Sequence, residues 1–529
     1  MRNFHYPGRS PVITRNAMCA TSHPLASLAA IEMLRSGGNA LDAAITATAV
    51  LCVVEPAMTG IGGDCFALIA KPGMKKPIAM NASGHAPKAA TADWYAKAGI
   101  TTLPMQSPHA VTVPGAIDGW ARLLKDHGTR SFADVLAPAI ETAERGFVVA
   151  PRIAFDWASL TDKLKANPAA THHLLPGGRA PKAGEVIALP ALAATLKRIA
   201  DKGRDGFYTG EVAEDMVTEL KALGGLHTLE DFAVQACSYV DPISVAYKGV
   251  DVWEMPPNNQ GVVALVMLKM LNRFGRLGDG PQSVERYHVM MEAVRLAYAM
   301  RDKFVADPEM ADVPVDHMLS DAFADELVSR IDRKVRKPDL GPIPVPGGTD
   351  TTYLTVVDKD GMAVSFINSI FSGFGSGIMA RKSGVLFQNR GQGFSLDPKH
   401  PNCIAPGKRP MHTLVPAMAM RDGKPWASFG VMGGNLQPAG HAYVLSNMLE
   451  YGLDPQEALD CSRVFFEHGT CWAEHSVPEP VYRGLAELGH PMERKVDPWG
   501  GGQIVMMNHD TGTLTGASDP RKDGCALGY

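Results

Sequence analysis

No stretch of this chain is apolar for long enough to cross a bilayer. The longest run, Ala43 to Val54, stops at Glu55 after twelve residues, short of the roughly 20 that a membrane helix needs, so it reads as a buried helix. Nor is there charge of one sign to spare. Against 55 Asp and Glu stand 51 Lys and Arg, a net charge of −4, which gives no electrostatic reason to expect nucleic acid or an anionic membrane as partner. Small molecules are the expected ligands. The cysteines at 19, 52, 65, 237, 403, 461, 471 and 525 include no CxxC pair, and the histidines, His85, His172 and His173 among them, form no HxxxH or His/Cys cluster. Reduced core thiols are expected, with no metal site and no cofactor. No period of 20 to 50 residues recurs, which excludes a solenoid or propeller. The amino-terminal segment has no uninterrupted apolar run after its basic residues, so a cytoplasmic protein is expected.

What is present is ordinary globular composition, 46% apolar and 20% charged over 529 residues, enough for several domains or one large layered core. Helical spacing runs through Leu25 to Arg35 and Leu41 to Val54, separated by Gly37-Gly38-Asn39, which stops one helix and starts the next. Further helical patterns cover Ser131 to Glu144, Leu189 to Ala200, Glu211 to Leu223 and Val284 to Phe304. The character changes at Lys337. From there to Asp350 four prolines and three glycines fall in fourteen residues, a composition that continues neither a helix nor a central strand and predicts an exposed loop. Directly after it, two β-rich runs joined by Asp358-Lys359-Asp360-Gly361 predict a hairpin that begins abruptly at Thr351. A loop tip tolerates chain cleavage, and a strand starting at a threonine is what an enzyme with a terminal nucleophile needs.

That hairpin, Thr351-Thr352-Tyr353-Leu354-Thr355-Val356-Val357-Asp358-Lys359-Asp360-Gly361, resembles the start of the small subunit of γ-glutamyltranspeptidases. The resemblance continues through Ser22-His23-Pro24-Leu25-Ala26-Ser27, Gly37-Gly38-Asn39-Ala40, Val54-Glu55-Pro56, Gly60-Ile61-Gly62-Gly63, Val113-Pro114-Gly115, Lys408-Arg409-Pro410 and Gly433-Gly434, in family order. It implies an α+β protein with the four-layer αββα N-terminal-nucleophile hydrolase fold. The precursor would cut itself at Asp350-Thr351 into a large subunit, residues 1–350, and a small subunit, 351–529. These would stay associated, and a homo-oligomer of such pairs is compatible with the resemblance. It also implies Thr351 as nucleophile, Ser369 at the place of a supporting threonine, Gly433 and Gly434 as the oxyanion hole, and Asn389 in the substrate pocket. Gly60-Ile61-Gly62-Gly63 lacks the Lys-Ser/Thr of a phosphate loop and reads as packing glycines. Glu292 and Arg295 read as a structural pair.

The chain also departs from the family pattern. Where a γ-glutamyl enzyme keeps an arginine for the α-carboxylate stands Ser83, and where it keeps an aspartate for the α-ammonium stands Gly393. A serine pair becomes His412-Thr413, and a pocket asparagine becomes Phe371. These replacements resemble the branch containing oxamate amidohydrolases and cephalosporin or glutaryl acylases. The expected activity is hydrolysis of an amide through a threonyl ester, with transfer of the acyl group to an amine acceptor as a further possible outcome. The acyl group would carry a carboxylate but need no ammonium, with Arg390 as its leading partner and His412 as a second. The alternatives are an authentic γ-glutamyltransferase or glutathione hydrolase and, from a different class, a processed but non-catalytic binding protein.

Overall fold

A computed structural model describes residues 8–338, 351–497 and 499–529. Two seven-stranded sheets, antiparallel throughout, form its centre. From edge to edge the first sheet runs Cys525–Gly528, Met18–Thr21, Thr352–Val357, Ala363–Ser369, Asp64–Ala70, Ile78–Ala82 and Ser238–Val240. The second runs Val12–Thr14, Thr513–Ser518, Gly501–Asn508, Lys424–Met432, Ala417–Arg421, Val250–Glu254 and Ile243–Tyr247.

Strand alternation sorts the side chains into three apolar layers. In the predicted hairpin, Tyr353, Val357, Ala363 and Ile367 meet Met418, Met432 and Val505 of the second sheet. Their neighbours Leu354, Val356, Val364 and Phe366 face outward against helices that include Pro24–Arg35, Ala40–Val54 and Phe132–Arg145. On the far side, Ala417, Ala419, Phe429 and Val431 pack under Gly261–Leu271, Val284–Phe304 and Leu436–Leu449. The result is helix, sheet, sheet, helix, the four-layer order expected. Strands on both faces buried in this way read as near-continuous apolar runs.

Local chemistry fixes the helix ends. Gly37 takes a φ of +92° beyond the first helix, and the Asn39 side chain accepts from Leu41 and Asp42 N–H to start the next, while Asp42 returns a bond to Asn39 N–H. Every residue of Ala40–Val54 is buried, and among the described residues no helix is long and apolar enough to cross a membrane. Gly62 and Gly63 let backbones meet: a Cβ on either would lie 2.2 Å from the carbonyl oxygen of Leu386 or Ser369. All eight cysteines are free thiols. Asp350 and the rest of the 339–350 segment lie outside the described residues.

Candidate active site

At one end of the sandwich, register alone lines up four polar residues. Thr352 pairs with Asn368, Ser369 with Asp64 and Cys65 with Ala82. Extending these ladders by one residue sets Thr351, Ser369, Asp64 and Ser83 side by side. All carry the parity of Tyr353, Ile367 and Phe66, so they face the inner layer of the sandwich. The Thr351 hydroxyl donates to Ser369 Oγ at 3.2 Å, both residues being buried.

The second sheet brings the glycine pair to the same end. Thr355 Oγ1 donates to Ser428 Oγ, and a Cβ on Gly430 would strike the Tyr353 ring. From those contacts the first strand runs back to Thr351 as the second runs on to Met432 and the turn at Gly433 (φ +127°) and Gly434 (φ +56°). Among the described residues no backbone carbonyl takes either glycine N–H. The turn leads into the Leu436–Leu449 helix, whose N-terminal end is partially positive. Gln260 Nε2 donates to the Gly434 and Thr413 carbonyls at 3.0 Å each, and Arg301 donates to Gln260 Oε1 at 2.8 Å and to Asn435 Oδ1 at 2.9 Å. Free N–H groups on a braced turn beside a hydroxyl dyad can stabilise an oxyanion.

Asp64 organises the flank of the row. Its Oδ1 accepts from Gly84 N–H, Gly115 N–H and Gln388 Nε2, each at 2.9 Å, and its Oδ2 accepts from His412 Nε2 at 3.0 Å. His412 Nδ1 takes Leu414 N–H at 3.2 Å. Burial, and then Arg390, push the His412 pKa down to about 3, so the ring is neutral at pH 7. Both His412 nitrogens are used inside the fold, and the residue braces Asp64.

Asn389 is spent likewise. Its Nδ2 donates to Ser372 Oγ at 2.6 Å and Met105 O at 3.2 Å, while its Oδ1 accepts from Ser372 N–H. It clasps the loop after the Ala363–Ser369 strand. Ser83 Oγ meets Asn258 Nδ2 at 3.3 Å and lies fully buried. Arg390 differs. Its Nη1 donates to Thr413 Oγ1 at 2.6 Å and its guanidinium lies 4.1 Å from the Phe371 ring centroid. Yet its Nε and Nη2 have no hydrogen-bond partner among the described residues, although the side chain is only 1% exposed. Burial lowers its pKa to about 9 while Asp64 pulls it back up, so it is a cation at pH 7.

A family model described as gamma-glutamyltranspeptidase matches residues 26–529. The chain belongs to the γ-glutamyltranspeptidase family. It is 36% identical over 528 residues to the glutathione hydrolase-like YwrD proenzyme of Bacillus subtilis, covering 98% of this chain and 99% of that one. It is 36% identical over 535 residues to the oxamate amidohydrolase proenzyme of Klebsiella pneumoniae, with the same coverage. The crystal structure of cephalosporin acylase from Bacillus halodurans superposes with a TM-score of 0.93 at 38% identity, over 100% of this chain and 99% of that one. Membership makes the chain an amide-cleaving enzyme of the N-terminal-nucleophile hydrolase class. Within that family framework, sequence reading missed Asp64, Gln260, Arg301 and Asn258. Asp64 directly follows the Gly60-Ile61-Gly62-Gly63 string, which was read as packing, and the others are brought to the site by pairing across long sequence separations.

Proposed function

We propose that this family member hydrolyses an amide whose acyl group carries a carboxylate, using Thr351 as nucleophile after cleavage of the Asp350-Thr351 bond. The freed α-amine, with a reference pKa of about 7.7 to 8.0, takes the proton of its own hydroxyl. Ser369 holds that hydroxyl in line. Thr351 Oγ1 attacks the amide carbon, the oxyanion settles on Gly433 and Gly434 N–H, and the amine leaves with the proton. Water then attacks the ester, releases the acid and restores the threonine. The names of the YwrD, oxamate amidohydrolase and acylase relatives support this class of reaction.

The acyl assignment rests on one observation, the unpartnered Nε and Nη2 of Arg390. These two donors form one edge of the guanidinium and match the two oxygens of a carboxylate. A buried cation without a hydrogen-bonded anion is costly, and a substrate carboxylate relieves that cost. No aspartate stands at position 393 to receive an α-ammonium. Glutaryl and γ-glutamyl amides of one leaving amine differ only in that ammonium, with oxamate as a minimal anionic amide. Glutaryl should be preferred at least about tenfold in kcat/KM, the scale of one charged hydrogen bond, and Arg390→Ala should abolish its advantage over a neutral pentanoyl amide. A tenfold preference for γ-glutamyl that survives Arg390→Ala would return the enzyme to the γ-glutamyltransferases.

A further inference from the structure

Phe371 has a backbone that phenylalanine rarely adopts. Its φ is +82°, in the left-handed region that a Cβ disfavours. The surrounding loop enforces it. Ser372 is gripped by both ends of the Asn389 amide, and Lys163 Nζ donates to Ser372 Oγ at 3.2 Å and to Gly373 O at 2.6 Å.

Two contacts follow from that conformation. The Phe371 N–H turns back to donate to Ser369 Oγ at 2.8 Å, the same oxygen that accepts from Thr351. The residue is 4% exposed, and the Arg390 guanidinium carbon sits over its ring, 4.1 Å from the centroid. The ring contact and the bond from Nη1 to Thr413 Oγ1 hold the guanidinium at two points. The edge carrying Nε and Nη2 is then held in one orientation. A ring at this place offers no acceptor to an ammonium.

Building on the carboxylate reading above, the geometry points to Phe371 as the specificity-determining residue: it presets the Arg390 fork for a carboxylate and joins that fork to the Ser369–Thr351 dyad through its own backbone. The side chain and the N–H of one residue thus touch the binding group and the catalytic pair.

The test compares glutaryl and pentanoyl amides of one leaving amine in the processed enzyme. Phe371→Asn tolerates the left-handed backbone, keeps the N–H and removes the ring. Phe371→Leu keeps apolar volume without a π face, and Phe371→Tyr keeps the ring. Desolvated cation–π contacts are strong enough to shift binding roughly tenfold. Both ring-free variants should therefore lower the glutaryl-to-pentanoyl ratio of kcat/KM about tenfold, chiefly through KM, while Phe371→Tyr stays within about threefold of wild type. Arg390→Lys should cost much less in the Phe371→Asn background than alone, because the fork is already released. An unchanged ratio in a folded, processed ring-free variant would overturn the proposal, as would Arg390 and Phe371 effects that simply multiply. Should Arg390→Ala leave the ratio unchanged in otherwise wild-type enzyme, the carboxylate reading itself falls. Should it matter while the ring does not, only the role of Phe371 falls. Thermal melting and intact mass on each variant separate these outcomes from failure to fold or to cleave, and the Leu variant carries the test if the Asn variant does not fold.

Discussion

Glu55 ends the Ala40–Val54 helix as its C-cap and is fully buried. Burial pushes its pKa from 4.5 up to about 7. Lys522 and the Ser22 hydroxyl pull it down, and Asp156 and Asp523 push it up again. Between pH 4.5 and 7 the folded protein therefore keeps a proton that the unfolded chain has lost. Stability from this group is fully present below 4.5 and is lost as pH rises through 7, a swing of about 3 kcal/mol. Glu55→Gln keeps the neutral shape, so its stability should fall less over that window and exceed that of wild type at pH about 8. Denaturant midpoints at pH about 5 and about 8 measure this, and equal slopes for the two proteins would refute it. The sequence showed Glu55 as the end of an apolar run and as part of the Val54-Glu55-Pro56 string, neither of which tells its protonation. The strings around Thr351 and the glycine pair are visible in the sequence, and the structure brings Thr351 and Ser369 within hydrogen-bonding distance. The spent nitrogens of His412 were not legible there, because Asp64 lies 348 residues away in the chain.

Elements with strong local signals were read correctly. The expected helix from Leu189 to Ala200 is observed as Pro190–Lys202, that from Glu211 to Leu223 as Gly210–Ala222, and Val284–Phe304 matches at both ends. The hairpin is Thr352–Val357 with Ala363–Ser369. Sheet order was not legible, because a strand carries its period in its own residues but its partner in someone else's. The turn at Gly433 and Gly434 joins both levels. Its φ values of +127° and +56° need glycine, and a Cβ on Gly433 would come within 3.1 Å of the Gly500 backbone. Gly434→Ala should cost about 1–2 kcal/mol of stability from the left-handed backbone alone. By displacing the N–H it should also lower kcat by roughly 10²-fold, the scale of a lost oxyanion donor. Normal kcat in a destabilised variant would assign the turn to folding only.

Across the whole molecule, the segments on either side of the 339–350 stretch do not form separate bodies. In the first sheet, Thr352–Val357 and Ala363–Ser369 lie between Met18–Thr21 and Asp64–Ala70, and in the second, Ala417–Arg421 pairs with Val250–Glu254. Backbone ladders therefore cross the expected cut repeatedly, and removing one peptide bond leaves them intact. Upstream of the cut, Arg295 Nη1 donates to Lys337 O at 2.7 Å while pairing with Glu292, and Lys337 N–H donates to Glu292 Oε2 at 3.2 Å. Lys337 is thus anchored to the Val284–Phe304 helix. Purified protein should give two masses, residues 1–350 and 351–529, that co-elute in native buffer and separate only in denaturant. Thr351→Ala should give one folded, uncut and inactive chain, since both cleavage and turnover need that hydroxyl. Wild-type protein that hydrolyses amides while remaining one chain would defeat the mechanism, because a threonine inside a peptide bond has no α-amine to act as its base.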